Sequence, residues 1–231
     1  MISDELPFLL ATGNLHKARE IVEILVDITG VPMTTHAVGG FDETSAFLVH
    51  RPEELVAFLD TVQVPKHLRV VEEVGETLEE NARLKAGELG KAWGMISLAD
   101  DTGLEVDVLG GAPGVHTARY AGESAGDDKN NQKLLNALKG IPPEQRKARF
   151  VTVVVLRRED ESEEVARGVV EGMIVAEPRG SGGFGYDPLF CPFEGDGRTF
   201  AQMASTEKHH LSHRGRAVRA LVASMSRRER S

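Results

Sequence analysis

The sequence predicts an α/β protein, a layered sandwich built around one sheet. Three observations carry that prediction. Short apolar runs alternate along the chain with stretches whose apolar residues recur at helical spacing. Of the 231 residues, 41% are hydrophobic and 27% charged, the make-up of a globular chain and not of a disordered one. The length suits one large domain or two lobes sharing a core.

Phe8-Leu9-Leu10-Ala11 reads as a short buried strand, and Thr12-Gly13-Asn14 as a tight turn with capping chemistry. Leu15, Ala18, Ile21, Val22, Leu25 and Ile28 then recur at helical spacing, with Gly30 where a helix-ending glycine belongs. Residues 31–71 are less legible; Pro52, Glu53 and Glu54 look like a helical first turn, with Leu55, Phe58 and Leu59 as its apolar face. Thr77-Leu78-Glu79-Glu80 is a capping box, so a helix starts there and runs to about Trp93 on the apolar face Leu78, Ala82, Leu89 and Trp93. Met95–Ala99 reads as a strand ending at Asp100-Asp101-Thr102-Gly103. Leu104–Leu109 alternates apolar and acidic residues, as a half-exposed strand does, and Gly110–Gly114 is a loop. A helix is expected over Asp128–Lys139, with Gly140 as terminator, and strands over Phe150–Leu156 and Gly168–Val175. Gly180–Pro188 breaks structure, and a last helix from about Arg214 turns Val218, Leu221, Val222 and Met225 inward. The tail Arg227–Ser231 reads as a solvated end.

The formal charge of −9, from 27 basic and 36 acidic residues, argues against a general nucleic-acid binder, which needs a basic face. It leaves room for a polyanionic small molecule held by local cations or by a divalent metal on acidic residues. No apolar run approaches the ~20 residues that cross a bilayer. Asp4 and Glu5 stand where a signal peptide carries Lys or Arg, and the single cysteine, Cys191, makes no internal disulfide. A soluble cytoplasmic protein with no membrane partner is expected.

Several residues then stand out. At about 100° per residue, Lys85 points within about 20° of Leu78, into the apolar face of its helix. A lysine there either snorkels along a narrow stripe or meets a buried carboxylate or a ligand anion. The Thr12-Gly13-Asn14 turn and Lys17 make either an ordinary cap or a phosphate cradle at a helix N-terminus. Asp100 and Asp101, at a strand end, point to opposite sides. They either cap a loop or hold Mg²⁺, with Glu72-Glu73 as a second acidic source. His213 and Arg214 near a helix start oppose its dipole, which an electron-rich ligand would offset. A zinc site from His209 and His213 lacks a third ligand. Gly180-Ser181-Gly182-Gly183-Phe184-Gly185 matches G-x-G-x-x-G, but Tyr186-Asp187-Pro188 follows where a dinucleotide fingerprint needs a helix. Cations, acidic clusters and a glycine loop together suit hydrolysis of a phosphoanhydride with Mg²⁺ better than acyl transfer or redox chemistry.

Five blocks extend this reading: Ala11-Thr12-Gly13-Asn14 with Lys17; TLEENARLKA at Thr77–Ala86; ADDTGLEVDVLGGAPGVHTARYAG at Ala99–Gly122; GGFGYDPLF at Gly182–Phe190; and TFAQM…EK…LSHRGRA at Thr199–Ala217. In kind and order they resemble the Ham1/RdgB-type non-canonical purine nucleoside triphosphate pyrophosphatases, the inosine triphosphate pyrophosphatase family. The resemblance implies a mixed central sheet flanked by helices, two lobes with a nucleotide cleft between them, and a homodimer. It implies hydrolysis of ITP, dITP and XTP to the monophosphate and pyrophosphate with Mg²⁺. By motif position, Thr12, Gly13, Asn14 and Lys17 resemble the triphosphate-binding loop. Asp101 resembles the catalytic proton acceptor and a metal ligand, with Glu73, and less clearly Glu72, as the other metal-site acids. Lys85 resembles a lysine near the phosphates, and Thr102 fills a position where serine is common. Phe184, Gly185, Tyr186 and Asp187 resemble a loop that closes over base and sugar; Lys208, His213 and Arg214 match residues that face the base. The whole chain, 1–231, then reads as a single Ham1-like domain. Residues 35–67, roughly, are an insertion beyond what the family usually needs, and Gln202 stands where glutamate is frequent. Two alternatives remain, a pyrophosphatase for other modified nucleoside triphosphates and a nucleotide-binding sensor without turnover.

Overall fold

The computed structural model of the chain describes residues 2–38, 46–54, 71 and 73–228. Its strands are β1 (Phe8–Ala11), β2 (Thr34–Val38), β3 (Ala46–His50), β4 (Ser97–Val106), β5 (Pro113–Gly114), β6 (Lys147–Arg157), β7 (Glu163–Ile174) and β8 (Phe190–Pro192). The α-helices among the described residues are α1 (Leu15–Thr29), α2 (Leu78–Trp93), α3 (Asp127–Ala137), α4 (Ser205–Leu211) and α5 (His213–Arg228). One eight-stranded sheet runs β2-β3-β1-β4-β6-β7-β8, with β5 on β4. It is mixed, as expected: β1 lies antiparallel to β3 and parallel to β4.

By compactness the chain divides into two units, Met1–Asp101 with Val153–Arg167 and Ala217–Ser231, and Thr102–Thr152 with Gly168–Arg216. Each has its own core. In the first, Phe8 and Leu10 of β1, Ile21 and Leu25 of α1, Leu98 of β4 and Val218 and Leu221 of α5 pack together, all out of water. In the second, Phe150, Phe190 and Phe200 form an aromatic centre with ring centroids 4.8 Å (Phe150–Phe190) and 5.2 Å (Phe190–Phe200) apart.

Local chemistry sets the elements of the first unit. Asn14 caps α1, its side-chain oxygen accepting from the amides of His16 and Lys17, and Gly30 ends it at φ +68°. The capping box at Thr77 and Glu80 starts α2, and Gly94 closes it at φ +60°. Ser97 Oγ donates to the Ala86 carbonyl at 2.7 Å, and a Cβ at Gly90 would stand 2.8 Å from the same oxygen; α2 is seated close to the start of β4. Parallel pairing aligns Leu10 with Leu98 and Ala11 with Ala99, so the Thr12 turn and Asp100 leave the shared register side by side.

The structure departs from expectation in several places. Asp100-Asp101-Thr102-Gly103 is the middle of an unbroken β4, not its end, and residues 107–109 form a 3₁₀ turn instead of strand. The acids stay in the strand because lysines meet them, as described below. Strands β2, β3 and β8 and helix α4 go beyond the sequence reading, Pro113–Gly114 of the expected loop pairs with β4 as β5, and α5 starts at His213. Pro52, Glu53 and Glu54 form a turn; Leu55, Phe58 and Leu59, like residues 39–45 of the expected insertion, lie outside the described residues.

Candidate active site

The first unit brings Lys17, Glu73, Lys85, Asp100 and Asp101 together. Lys85 Nζ donates to Asp101 Oδ1 at 2.7 Å, to the Asp100 carbonyl at 2.7 Å and to Glu73 Oε1 at 3.1 Å. Lys17 Nζ stands 3.5 Å from Asp100 Oδ2. The two aspartates point to different sides of β4, as neighbours on a strand do, and each meets a lysine from a different helix. Lys85 therefore answers its inward direction with the buried Asp101 carboxylate and the partly buried Glu73. Glu72 lies outside the described residues.

Among the described residues three carboxylates, Asp100, Asp101 and Glu73, stand against two ammonium groups, Lys17 and Lys85. Burial pushes the Asp101 carboxyl above the usual carboxylate value; Lys85 and Lys17 oppose that shift and Glu73 adds to it. Burial draws the Lys85 ammonium down, but Asp101, Glu73 and Asp100 together outweigh it and hold it above the usual lysine value. The Lys85 shift expresses the acid gathered around it, whereas the Asp101 shift is chiefly the cost of burial. Asp101 Oδ2 is buried, with no hydrogen-bond partner among the described residues. That orphaned oxygen and the nearby Glu73 fit a divalent cation. Among the described residues no three His, Cys, Asp or Glu gather as a metal cage. Mg²⁺ asks for less, binding through one or two carboxylates and completing its shell with water and phosphate oxygens.

At the neighbouring turn, Thr12 Oγ1 accepts from the Asn14 amide at 3.1 Å, and Asn14 Oδ1 accepts from His16 and Lys17 at 2.9 and 3.2 Å. Asn14 thus acts as a cap, while Gly13 and Asn14 remain exposed.

The second unit assembles a different set. Lys208 Nζ donates to Asp187 Oδ2 at 2.6 Å, both side chains about 5% exposed or less. The same carboxylate accepts from the Phe184 amide at 2.8 Å. The Phe184 ring has Lys208 Nζ 5.0 Å and the Arg214 guanidinium carbon 5.6 Å from its centroid. Arg214 is fully buried, its Nη2 donating to Thr102 Oγ1 at 3.2 Å, and Thr102 Oγ1 lies 2.7 Å from Thr152 Oγ1. His213 stacks on Phe150 with centroids 4.5 Å apart. Tyr186 is buried and donates to the Thr117 carbonyl at 3.0 Å; burial raises its phenol well above the usual tyrosine value. The glycine run opens no helix. Gly183 has φ +70°, and a Cβ there would run into the Asp187 carboxylate.

Sequence reasoning missed the residues that hold this loop. Asp127 Oδ2 accepts from the Gly185 amide at 2.7 Å, and Asn131 Nδ2 donates to the Gly185 carbonyl at 3.0 Å. Their four-residue spacing on one helix was the available signal. His209 and His213 lie on separate helices, divided by an extended Ser212, so their spacing does not place them on one helical face. Burial raises the Cys191 thiol, against a nucleophilic role. Gln202 accepts from the Thr199 amide at 3.0 Å in a capping box.

Comparison with known proteins matches this arrangement to one family. The model of the Ham1 family matches residues 8–224. The dITP/XTP pyrophosphatase of Escherichia coli O157:H7 is 42% identical over 215 residues, covering 92% of this chain and 94% of that protein. That of Thermus thermophilus is 53% identical over 155 residues, covering 67% of this chain and 74% of its own. The structure of a HAM1 protein from Coxiella burnetii superposes with a TM-score of 0.70 at 34% identity, over 94% of this chain and 97% of that one. On that breadth of match, the chain belongs to the Ham1 family.

Proposed function

We propose that the protein hydrolyses non-canonical purine nucleoside triphosphates, ITP, dITP and XTP, to the monophosphate and pyrophosphate. The observation that carries the reading is the gathering of Asp101 and Glu73 on Lys85, with one Asp101 oxygen buried and unsatisfied among the described residues. The relatives named dITP/XTP pyrophosphatase support the substrate class.

In this reading Asp101 and Glu73 hold Mg²⁺, which when bound screens the triphosphate and polarises its innermost phosphorus. Asp101 orients water and takes its proton. Lys17 and Lys85 neutralise the departing pyrophosphate, and the Thr12-Gly13-Asn14 turn, exposed at Gly13 and Asn14, lies beside it. The task is positioning and electrostatics, so no covalent intermediate is needed. Phe184 offers a stacking face for the base, on a loop fixed by Gly185, Tyr186 and Asp187. Lys208 holds that loop through Asp187, and Thr102 braces Arg214.

Base choice follows hydrogen-bond polarity. Inosine and xanthosine carry a 6-oxo acceptor for the donors of His213 and Arg214, whereas adenosine presents a 6-amino donor. Leaving buried donors unmatched costs about 1–3 kcal/mol each, enough for strong rejection of ATP. The same reading takes the chain as one catalytic domain with an insertion over roughly 35–67, acting as a cytoplasmic homodimer. Among the described residues no helix is long and apolar enough to cross a membrane.

Pyrophosphate release from ITP, XTP, GTP and ATP, with and without Mg²⁺, tests the proposal. Fast Mg²⁺-dependent release from ITP and XTP is expected; equal rates on ATP and ITP would defeat the base-recognition argument, and no release from any of them the whole reading.

A further inference from the structure

The loop that bears Glu73 must be held at a set distance from the helix that bears Lys85. Besides the Lys85–Glu73 ion pair, side chains of α2 hold the loop by its backbone. Asn81 of α2 accepts a hydrogen bond from the Gly75 amide through its Oδ1 at 2.8 Å. Asn81 is 0% exposed. Asparagine is a poor helix former, and burying its amide is costly unless it is bonded. Its Nδ2 has no hydrogen-bond partner among the described residues, so the amide is not part of a fully satisfied network there. What it supplies is one acceptor aimed at the loop. The fit is equally tight from the other side: a Cβ at Gly75 would lie 2.7 Å from Asn81 Oδ1 and 2.8 Å from Glu80 Cβ. Glu80 Oε2 closes the same junction, accepting from the amides of Glu76 and Thr77 at 2.8 and 3.1 Å. Glu73 stands two residues before Gly75, and Lys85 about one helical turn after Asn81.

We infer that Asn81 is a positioning residue for the divalent-cation site: by holding the Gly75 amide it sets where the Glu73 carboxylate stands beside Asp101, and so how tightly that pair binds metal. Asn81 touches neither substrate nor metal in this role. The inference rests on the assignment of Asp101 and Glu73 as metal ligands.

Mn²⁺ binding to the full chain without nucleotide, followed by loss of the free-ion EPR signal, tests it. Wild type is expected to bind and Glu73→Gln to lose binding. Asn81→Leu, similar in size but without an acceptor, should melt cooperatively and bind Mn²⁺ about 10–100-fold more weakly, the usual cost of losing a support behind a ligand. Asn81→Asp keeps the acceptor and should bind within about threefold of wild type or tighter. Gly75→Ala should weaken binding from the loop side, and the double variant Asn81→Leu/Gly75→Ala should be no weaker than the worse single, since both act at one junction. Wild-type affinity in a cooperatively melting Asn81→Leu overturns the inference, as does an Asn81→Asp as weak as Asn81→Leu. If Asn81→Leu does not fold, unchanged affinity in Gly75→Ala overturns it and weakened affinity supports it. Absence of Mn²⁺ binding by wild type sinks the inference whatever hydrolysis shows. The expected binding pattern without ITP hydrolysis upholds it and sinks the functional reading instead.

Discussion

Lys85 meets Asp101 at 2.7 Å in the first unit, and Lys208 meets Asp187 at 2.6 Å in the second. The pairs are alike in partners, distance and burial, yet they do different work because of what surrounds them. Around Lys85, among the described residues, Glu73 and Asp100 tip the balance toward acid. Around Lys208, the Arg214 guanidinium and the Phe184 and Phe200 rings tip it toward cation and π-surface, with Asp187 also fixing the loop backbone. A buried ion pair by itself says little about function. The charge left over beside it says which ligand is welcome: a metal cation in the first case, an aromatic, electron-rich ring in the second.

The comparison breaks most readily by removing a lysine from each side. Lys85→Met removes the ammonium that the buried Asp101 carboxylate meets at 2.7 Å; unfolding should show a loss of about 3–5 kcal/mol at neutral pH, shrinking in acid as the carboxyl takes a proton. Lys208→Met removes the ammonium that stands 2.6 Å from the buried Asp187 carboxylate, and a loss of about 3 kcal/mol is expected by denaturant titration. Its Mn²⁺ affinity should stay at the wild-type level, which separates the two units. Phe184→Leu should raise KM for ITP by about tenfold, with kcat within about threefold, because base–aromatic stacking contributes ~1–3 kcal/mol.

The pH dependence sharpens the same contrast. Asp101 has a raised carboxyl, so its stabilising protonated form is fully present below the unfolded carboxylate value and lost as pH rises through the folded one. Mg²⁺ competes with that proton. Added Mg²⁺ should therefore raise Tm at neutral pH, and the gain should fade as pH falls through the Asp101 carboxyl. In the second unit the smallest effect is expected from Tyr186, whose raised phenol favours the neutral form when folded. Tyr186→Phe should slightly flatten the alkaline loss of stability, after allowance for its lost hydrogen bond.

Much of this was legible in the sequence where local chemistry decides. Asn14, Gly30 and the Thr77–Glu80 box marked helix ends because caps act within one turn. The inward direction of Lys85 was legible because helical periodicity fixes it. Asp100-Asp101-Thr102-Gly103 misled, since local propensity makes such a run a turn. It stays a strand because Lys17 and Lys85, distant in sequence, supply the charges that permit burial. Phe150 beneath His213 and the Asp127–Asn131 hold on Gly185 were hidden for the same reason: each depends on tertiary approach, which leaves no periodic mark. Three-residue β8, containing Pro192, offers too short a pattern to read.

The central claim is that Asp101, in its acid-rich setting, both holds the metal and handles the attacking water. Pyrophosphate release from ITP by Asp101→Asn, set beside its melting curve, tests this most directly. The account predicts a fall on the order of 10²–10⁴-fold or more with cooperative melting retained; a folded variant that turns over ITP at a near-normal rate would contradict it.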